Sequence, residues 1–147
     1  MNLVIGKKRR FLYWSVAIVF ILSIAYYHIG LILSESLYVV KGSYPYYILI
    51  PRDIRQIPLS KALSSPVYFY SSGDGNKPTL AELSYKTSLN EQNIIEFYND
   101  YFTSLGYDNL EVSDYWGKLA FKSSSGVFIV NIENLNENVN VSVELAM

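Results

Sequence analysis

Cysteine is absent from this 147-residue chain, and histidine occurs once, as His28. The protein therefore forms no disulfide, performs no thiol chemistry and offers no thiolate ligand to a metal. Because His28 lies in the long apolar stretch near the N-terminus, a serine nucleophile in the remainder has no histidine base. A zinc site built from His and Cys is excluded there for the same reason. We expect no cofactor, no metal and no catalytic site of these classes.

Basic residues are scarce beyond the N-terminus. Four of the twelve lie in the first ten positions, and after Leu33 eight remain against thirteen acidic residues, a net charge of −5. This balance argues against nucleic acid as a partner and against tight adhesion to anionic lipid. Carboxylates are the remaining candidates for acid-base chemistry, and the obvious ones are Glu91, Glu96, Asp100 and Asp114. Glu96 and Asp100 fall on the polar face of a predicted helix, which favours solvated surface over catalysis.

Long uncharged runs are confined to residues 11–33, a 23-residue apolar stretch. A helix of that length covers about 34 Å, enough for a hydrocarbon core of about 30 Å. The stretch follows four adjacent cations, Lys7, Lys8, Arg9 and Arg10, which should keep the tail 1–10 in the cytoplasm. We predict a single-pass inner (plasma) membrane protein with an extracytoplasmic C-terminal domain, periplasmic if the cell is Gram-negative. A cleaved signal peptide is the alternative, although its apolar region is usually only about 7–15 residues long.

The single histidine lies inside this predicted span. An ionisable group within a membrane helix suggests a proton relay or a partner contact. The alternative is a neutral side chain near the outer interface, beside Tyr26 and Tyr27. His28 lies about 9 Å from the middle of the span, which favours the interfacial interpretation.

Proline recurs through residues 34–66 and predicts an extended extracytoplasmic spacer. Within it, residues 46–50 form a β-prone run that ends at Pro51. This run is interpreted either as an edge strand of the following domain or as a segment that pairs with another protein's sheet. Its candidate partner contacts are Tyr46, Tyr47, Ile48 and Ile50.

We predict that residues 67–147 form a small α+β domain. Alternating apolar residues indicate a strand from Thr79, and Ser88-Leu-Asn-Glu91 is typical of a capping box that opens a helix. Gly106 is expected to adopt the left-handed conformation that ends this helix. Short strands then follow, with a tight turn at 124–126 and strict alternation over 139–145. We expect one helix packed on an antiparallel sheet, with a β-α-β-β-β core preceded by one or two further strands.

An aromatic pair, Tyr115 and Trp116, follows Asp114 at a predicted strand start. Such a pair is typical both of a protein interface and of the lid over a hydrophobic core. We include both residues among the candidate partner contacts.

The pattern Phe97-Tyr98 with Leu105-Gly106-Tyr107 resembles small exported α+β domains of bacterial envelopes. In layout the chain is similar to the single-span inner-membrane subunits of secretion and pilus machines, which implies a place in a membrane complex. The first hypothesis is therefore a non-enzymatic, anchored interaction subunit with a protein partner. The alternatives are an anchored ligand-binding or sensing domain, with a shallow groove, and a carboxylate-dependent envelope enzyme.

Overall fold

The computed structural model describes residues 2–32, 34–73, 76–111, 118–135 and 138–147, and only the backbone of residues 2–11 and 32. The chain divides into two compact units, Met1–Ser34 and Glu35–Met147.

The first unit is one continuous helix, α1, over Asn2–Ile32. Its stretch Leu12–Leu31 has 20 residues and a mean hydropathy of 1.8. Leucine, isoleucine and aromatic side chains are exposed all around it, so the stretch has no polar face of the kind that a surface helix keeps for water. This helix is long and apolar enough to cross a membrane, and a signal sequence near the N-terminus satisfies the same criteria of length and composition.

The second unit is an α+β fold, as predicted, in which helices pack on a seven-stranded antiparallel sheet. The strands lie in the order β1-β2-β3-β7-β6-β5-β4. Strand β3, the long helix α4 and strands β5 to β7 form the predicted β-α-β-β-β core, and the short β4 extends its far edge. In chain order the elements are β1 (Ser36–Val39), α2 (Tyr44–Leu49), α3 (Arg52–Arg55), β2 (Val67–Ser71), β3 (Leu80–Thr87), α4 (Glu91–Ser104), β4 (Asp108–Leu110), β5 (Leu119–Ser123), β6 (Gly126–Leu135) and β7 (Asn138–Ala146).

The hydrophobic core lies between one face of this sheet and the helices α2, α3 and α4. Alternate residues of the central strands point into it because side chains of a strand alternate between the two faces. Strand β7 contributes four valine or leucine side chains and α4 contributes Ile94, Tyr98 and Phe102. Phe102 is at the centre of an aromatic stack with Phe121 and Phe128, at centroid distances of 4.7 and 5.1 Å.

The helix α4 begins two residues later than the predicted capping box. Asn90 is the N-cap, and its side-chain oxygen accepts a hydrogen bond of 2.9 Å from the backbone N–H of Asn93. Ser88 precedes the cap, and Glu91 is the first helical residue instead of the third. The prediction was wrong because asparagine caps a helix as well as serine does. The end of α4 is confirmed: Gly106 has a φ of +75°, and the Tyr107 ring stacks on Phe102 at 5.9 Å.

The predicted spacer 34–66 is folded over much of its length, and this part of the domain boundary is wrong. Strand β1 and helices α2 and α3 lie within it, and Ile50, Ile54 and Ile57 belong to the core. The prolines mark boundaries here. Pro45 lies in the first turn of α2, where its missing N–H is not needed, and Pro51 is the N-cap of α3.

A buried chain of hydrogen bonds fastens the segment after α3 to the sheet and to α4. The Tyr98 hydroxyl donates to the carbonyl of Pro58 at 3.1 Å and lies 2.9 Å from the Tyr85 hydroxyl. Tyr85 in turn accepts from the backbone N–H of Ser60 at 3.1 Å. Tyr85 must then be the donor to Tyr98, so that every group in the chain is satisfied. Burial raises the pKa of Tyr98, and the Tyr85 side chain adds to this effect.

Candidate functional site

The second face of the sheet lies opposite the core and carries a row of residues that we call the open row. These side chains are paired from strand to strand across the whole sheet; none belongs to the main core cluster, but Ala120 is fully buried, so the exposed part of the row runs from β1 to Ile129. Its ends are apolar and its centre is acidic. In order from β1 to β4 the open row consists of Tyr38, Phe69, Glu82, Glu144, Ile129, Ala120 and Leu110.

Two glutamates oppose one another at the centre of the open row. Glu82 of β3 and Glu144 of β7 are directly paired in the antiparallel register. Side chains at such positions lie about 5 Å apart at their Cβ atoms, and like charges there are destabilising. The Asn131 side chain donates a hydrogen bond of 2.7 Å to Glu144, whereas Glu82 has phenylalanine as its other cross-strand neighbour. The pair has no cation of this chain as an ion-pair partner among the described residues.

The environment raises the pKa of both carboxyl groups. Burial raises the pKa of Glu82, and the charge of Glu144 raises it further. Burial also raises the pKa of Glu144, but the hydrogen bond from Asn131 opposes that shift because it favours the ionised form. Both carboxyl groups therefore take up a proton at a higher pH than an exposed glutamate does.

Replacing Glu82 by glutamine should stabilise the domain at neutral pH. A carboxyl group whose pKa is raised by folding costs free energy while it is ionised, and the cost is relieved as the pH falls through its folded pKa toward the ordinary glutamate value of 4.5. We expect Glu82→Gln to raise the free energy of unfolding by about 0.5–1 kcal/mol at neutral pH. The gain should shrink at about pH 5, where wild-type Glu82 is already partly protonated. Urea unfolding of the full chain in a non-ionic detergent, at both pH values, measures this.

The matched control is Glu133→Gln, because Glu133 is an exposed glutamate of the same sheet, on strand β6. It should change the stability by less than about 0.5 kcal/mol at either pH. A destabilised Glu82→Gln variant, or a gain that grows as the pH falls, would contradict the raised pKa.

The residues of the run 46–50 that were predicted as partner contacts are partly buried and partly exposed in the structure. The run 46–50 lies in and just after helix α2, not in a strand, so both strand interpretations were wrong. Tyr46 and Ile50 are buried in the core, whereas Tyr47 and Ile48 are 58% and 54% exposed. The spacing of Tyr46, Leu49 and Ile50 is that of one helical face, which the β-prone composition concealed.

The structure describes fewer contacts for the other predicted site residues. The ring of His28 lies edge-on to that of Tyr27 at 6.3 Å, and its proposed role in the span stays a prediction. Tyr115, Trp116 and Asp114 lie outside the described residues, and so do the side chains of Lys7, Lys8, Arg9 and Arg10. Glu96 is exposed and accepts a hydrogen bond of 3.1 Å from Gln92, and Asp100 is exposed as well.

Glu82 and Glu144 were not among the sequence-predicted site residues. Strand alternation places each of them on the polar face of its strand, and this much is visible in the sequence. Their opposition depends on β3 pairing with β7, which is separated from β3 by α4 and three strands. Comparisons of the chain with protein-family models, with curated proteins and with solved structures gave no match.

Proposed function

We propose that the protein is a single-pass, membrane-anchored subunit of a cell-envelope complex, and that its exported domain acts by contact with a protein partner. Its partner surface is the open row, and the partner presents an arginine or lysine to Glu82 and Glu144. The observation that carries this proposal is the paired carboxylates at the centre of a sheet face that α2, α3 and α4 leave uncovered.

Charge complementarity supports a basic partner group. Two half-buried carboxylates without a cation cost free energy in the isolated domain, and a partner cation between them would remove that cost. The bidentate geometry of arginine suits a carboxylate, and an interface excludes the water that screens such a pair.

Apolar flanks on both sides of the pair support a protein partner. Tyr38 is 75% exposed and its ring packs on Phe69 at a centroid distance of 5.2 Å. Ile129 lies on the opposite side of the pair, directly across from Glu144. Residues that contribute most to binding are surrounded by contacts that exclude water, and apolar flanks supply such contacts around the carboxylate pair.

Site-specific photo-crosslinking in the organism that encodes the chain tests the surface. Benzoylphenylalanine is placed at Tyr38 or Ile129 on the open row, and at Gln92 on the exposed side of α4 as the matched control. We expect a defined protein adduct from the two open-row positions and none from Gln92. The adduct should be lost when Glu82→Gln and Glu144→Gln are combined. Since these changes should stabilise the fold, that loss cannot be assigned to unfolding.

Three outcomes would overturn the proposed surface. The first is an equal adduct from Gln92, which would indicate random collision. The second is an adduct that persists in the double glutamine variant, because the contact would then not depend on the carboxylates. The third is an adduct only with a second copy of this chain, which would replace the partner by self-association.

The proposed membrane anchor predicts the orientation of the chain in the membrane and the presence of residues 11–33 in the mature protein. A reporter that is active only in the cytoplasm should be inactive when fused after Met147, because the cations of residues 7–10 hold the other end inside. The intact mass of the membrane-extracted protein should include residues 11–33. An active reporter would contradict the orientation, and a mass without residues 11–33 would show a cleaved signal peptide.

A further inference from the structure

A second surface of the exported unit has the opposite charge to the open row. A cleft of about 370 Å³ lies beside α2 and α3. This volume is within the range of small-molecule sites. Its lining combines three cations, two tyrosines and two small or polar residues, and it contains no acidic side chain. These residues are Lys41, Gly42, Tyr46, Tyr47, Arg52, Arg55 and Gln56.

Arg55 is held in place at this cleft. Its guanidinium carbon lies 5.7 Å from the ring centroid of Tyr46 and 5.5 Å from that of Tyr47. The two rings are nearly perpendicular, at 80°, so the guanidinium meets both of them. Its Nε is buried and has no hydrogen-bond partner among the described residues. Such an unpaired donor is costly, so the contacts with the two rings keep Arg55 at this position in spite of that cost.

The three cations of the cleft have no ion-pair partner within the described part of the chain, although the exported part has a net charge of −5. Three of its eight basic residues line this one cleft. Repulsion among them is tolerated in the free protein and is relieved by a bound anion. A phosphate group, which carries at least one full negative charge at neutral pH, offsets this repulsion.

We propose that the cleft of Lys41, Arg52 and Arg55 is a binding site for a phosphate group. The planar fork of each arginine donates to two phosphate oxygens, lysine adds a point charge, and the tyrosine rings contact the body that carries the phosphate. This inference does not depend on the open row, which lies on the other face of the sheet.

The phosphate can belong to a lipid headgroup or to a soluble molecule. Lys41 follows the candidate span by only ten positions in the sequence, which favours a headgroup. The net negative charge of the exported part opposes broad adhesion to an anionic bilayer. The cleft therefore selects one phosphate group and is not part of a basic membrane-binding surface.

Calorimetric titration of the full chain in a non-ionic detergent tests the site with defined probes. The probes are inorganic phosphate, mixed micelles with phosphatidylglycerol, and mixed micelles with phosphatidylcholine as the zwitterionic comparison. We expect saturable binding that weakens by about tenfold or more when Arg52 or Arg55 is replaced by glutamine, since each removes a charge-assisted hydrogen bond. Lys41→Gln should act in the same direction. The matched control is Lys122→Gln on β5, an exposed cation outside the cleft, which should leave binding unchanged.

Comparison of the probes distinguishes a lipid headgroup from a soluble molecule as the source of the phosphate. Tighter binding of phosphatidylglycerol micelles than of inorganic phosphate assigns the cleft to a lipid headgroup, and the reverse order assigns it to a soluble phosphate. Lys41 and Arg52 are exposed, so their variants should keep the wild-type unfolding midpoint even if Arg55→Gln loosens the tyrosine pair. No saturable binding of any probe, or equal weakening by Lys122→Gln, would overturn the site. Failure here would leave the crosslinking result at the open row unaffected.

Discussion

Replacing Phe102 by alanine is expected to cost about 3–5 kcal/mol of the free energy of unfolding. The side chain is 1% exposed and occupies the middle of the aromatic stack between α4 and the sheet. Its ring contacts Phe121, Phe128 and Tyr107 at centroid distances of 4.7, 5.1 and 5.9 Å. Because rigid rings on three sides cannot collapse into the space left behind, the cost should be at the upper end of this range.

The test is urea unfolding of the full chain in a non-ionic detergent, followed by near-ultraviolet circular dichroism. A domain of this size has a total stability of about 5–15 kcal/mol, so Phe102→Ala should shift the midpoint far below that of wild type. Leu105→Ala is the control at the C-cap of the same helix, because Leu105 is 49% exposed. It should cost less than about 1 kcal/mol. Similar losses from the two variants would show that Phe102 does not hold the helix on the sheet.

Phe102 also shows why the second half of the domain could be predicted from the sequence. Ile94, Tyr98 and Phe102 recur every four residues, and Val139 to Leu145 recur every two. Each period indicates one secondary structure and one buried face, and two such apolar faces are expected to pack on each other. Local signals therefore gave the α+β class and most of the element order.

The segment before β2 could not be predicted in the same way. Its helices α2 and α3 have six and four residues, too few for a helical period to stand out from the sequence. Composition then dominated the prediction, and tyrosine, isoleucine and proline all favour extended backbone. What stabilises these short helices is tertiary: Ile54 is fully buried, and the Asp53 carboxylate accepts a hydrogen bond of 2.7 Å from the Ser125 hydroxyl. Such a contact between distant positions has no local signal.

The two candidate surfaces likewise depend on contacts between distant positions and could not be predicted from the sequence. The open row exists because seven strands are in one register, and the cleft exists because Lys41 is brought beside Arg52 and Arg55 by the fold of residues 41–56. Individually, each of these residues is an ordinary surface charge in the sequence. Strand alternation predicted the face of the sheet on which Glu82 and Glu144 each lie. It did not predict that these two residues are opposite one another on β3 and β7.

Gly126 is the position where the smallest change should have the largest effect. It begins β6 after the two-residue turn at 124–125, with a φ of +143°, where residues with a side chain are strained. A Cβ atom there would overlap the backbone carbonyl oxygen of Ala146 at the end of β7. The obstacle is backbone of a paired strand, so no side chain can rotate away to make room. We expect Gly126→Ala to cost more than about 4 kcal/mol, of which about 1–3 kcal/mol is backbone strain alone.

Gly106→Ala separates the two contributions. Gly106 also has a positive φ, +75°, but no atom of the described residues lies within 4 Å of the Cβ position there. Alanine at this site should pay only for the left-handed conformation, about 1–2 kcal/mol. The excess of Gly126→Ala over Gly106→Ala, measured by the same urea unfolding, is then the cost of forcing β6 away from β7. Since the open row depends on that pairing through Ile129 and Glu144, the Gly126 variant should also lose the crosslinked adduct, whereas the Gly106 variant should keep it. Equal losses of stability in the two variants would show that the ends of β6 and β7 do not approach as closely as described.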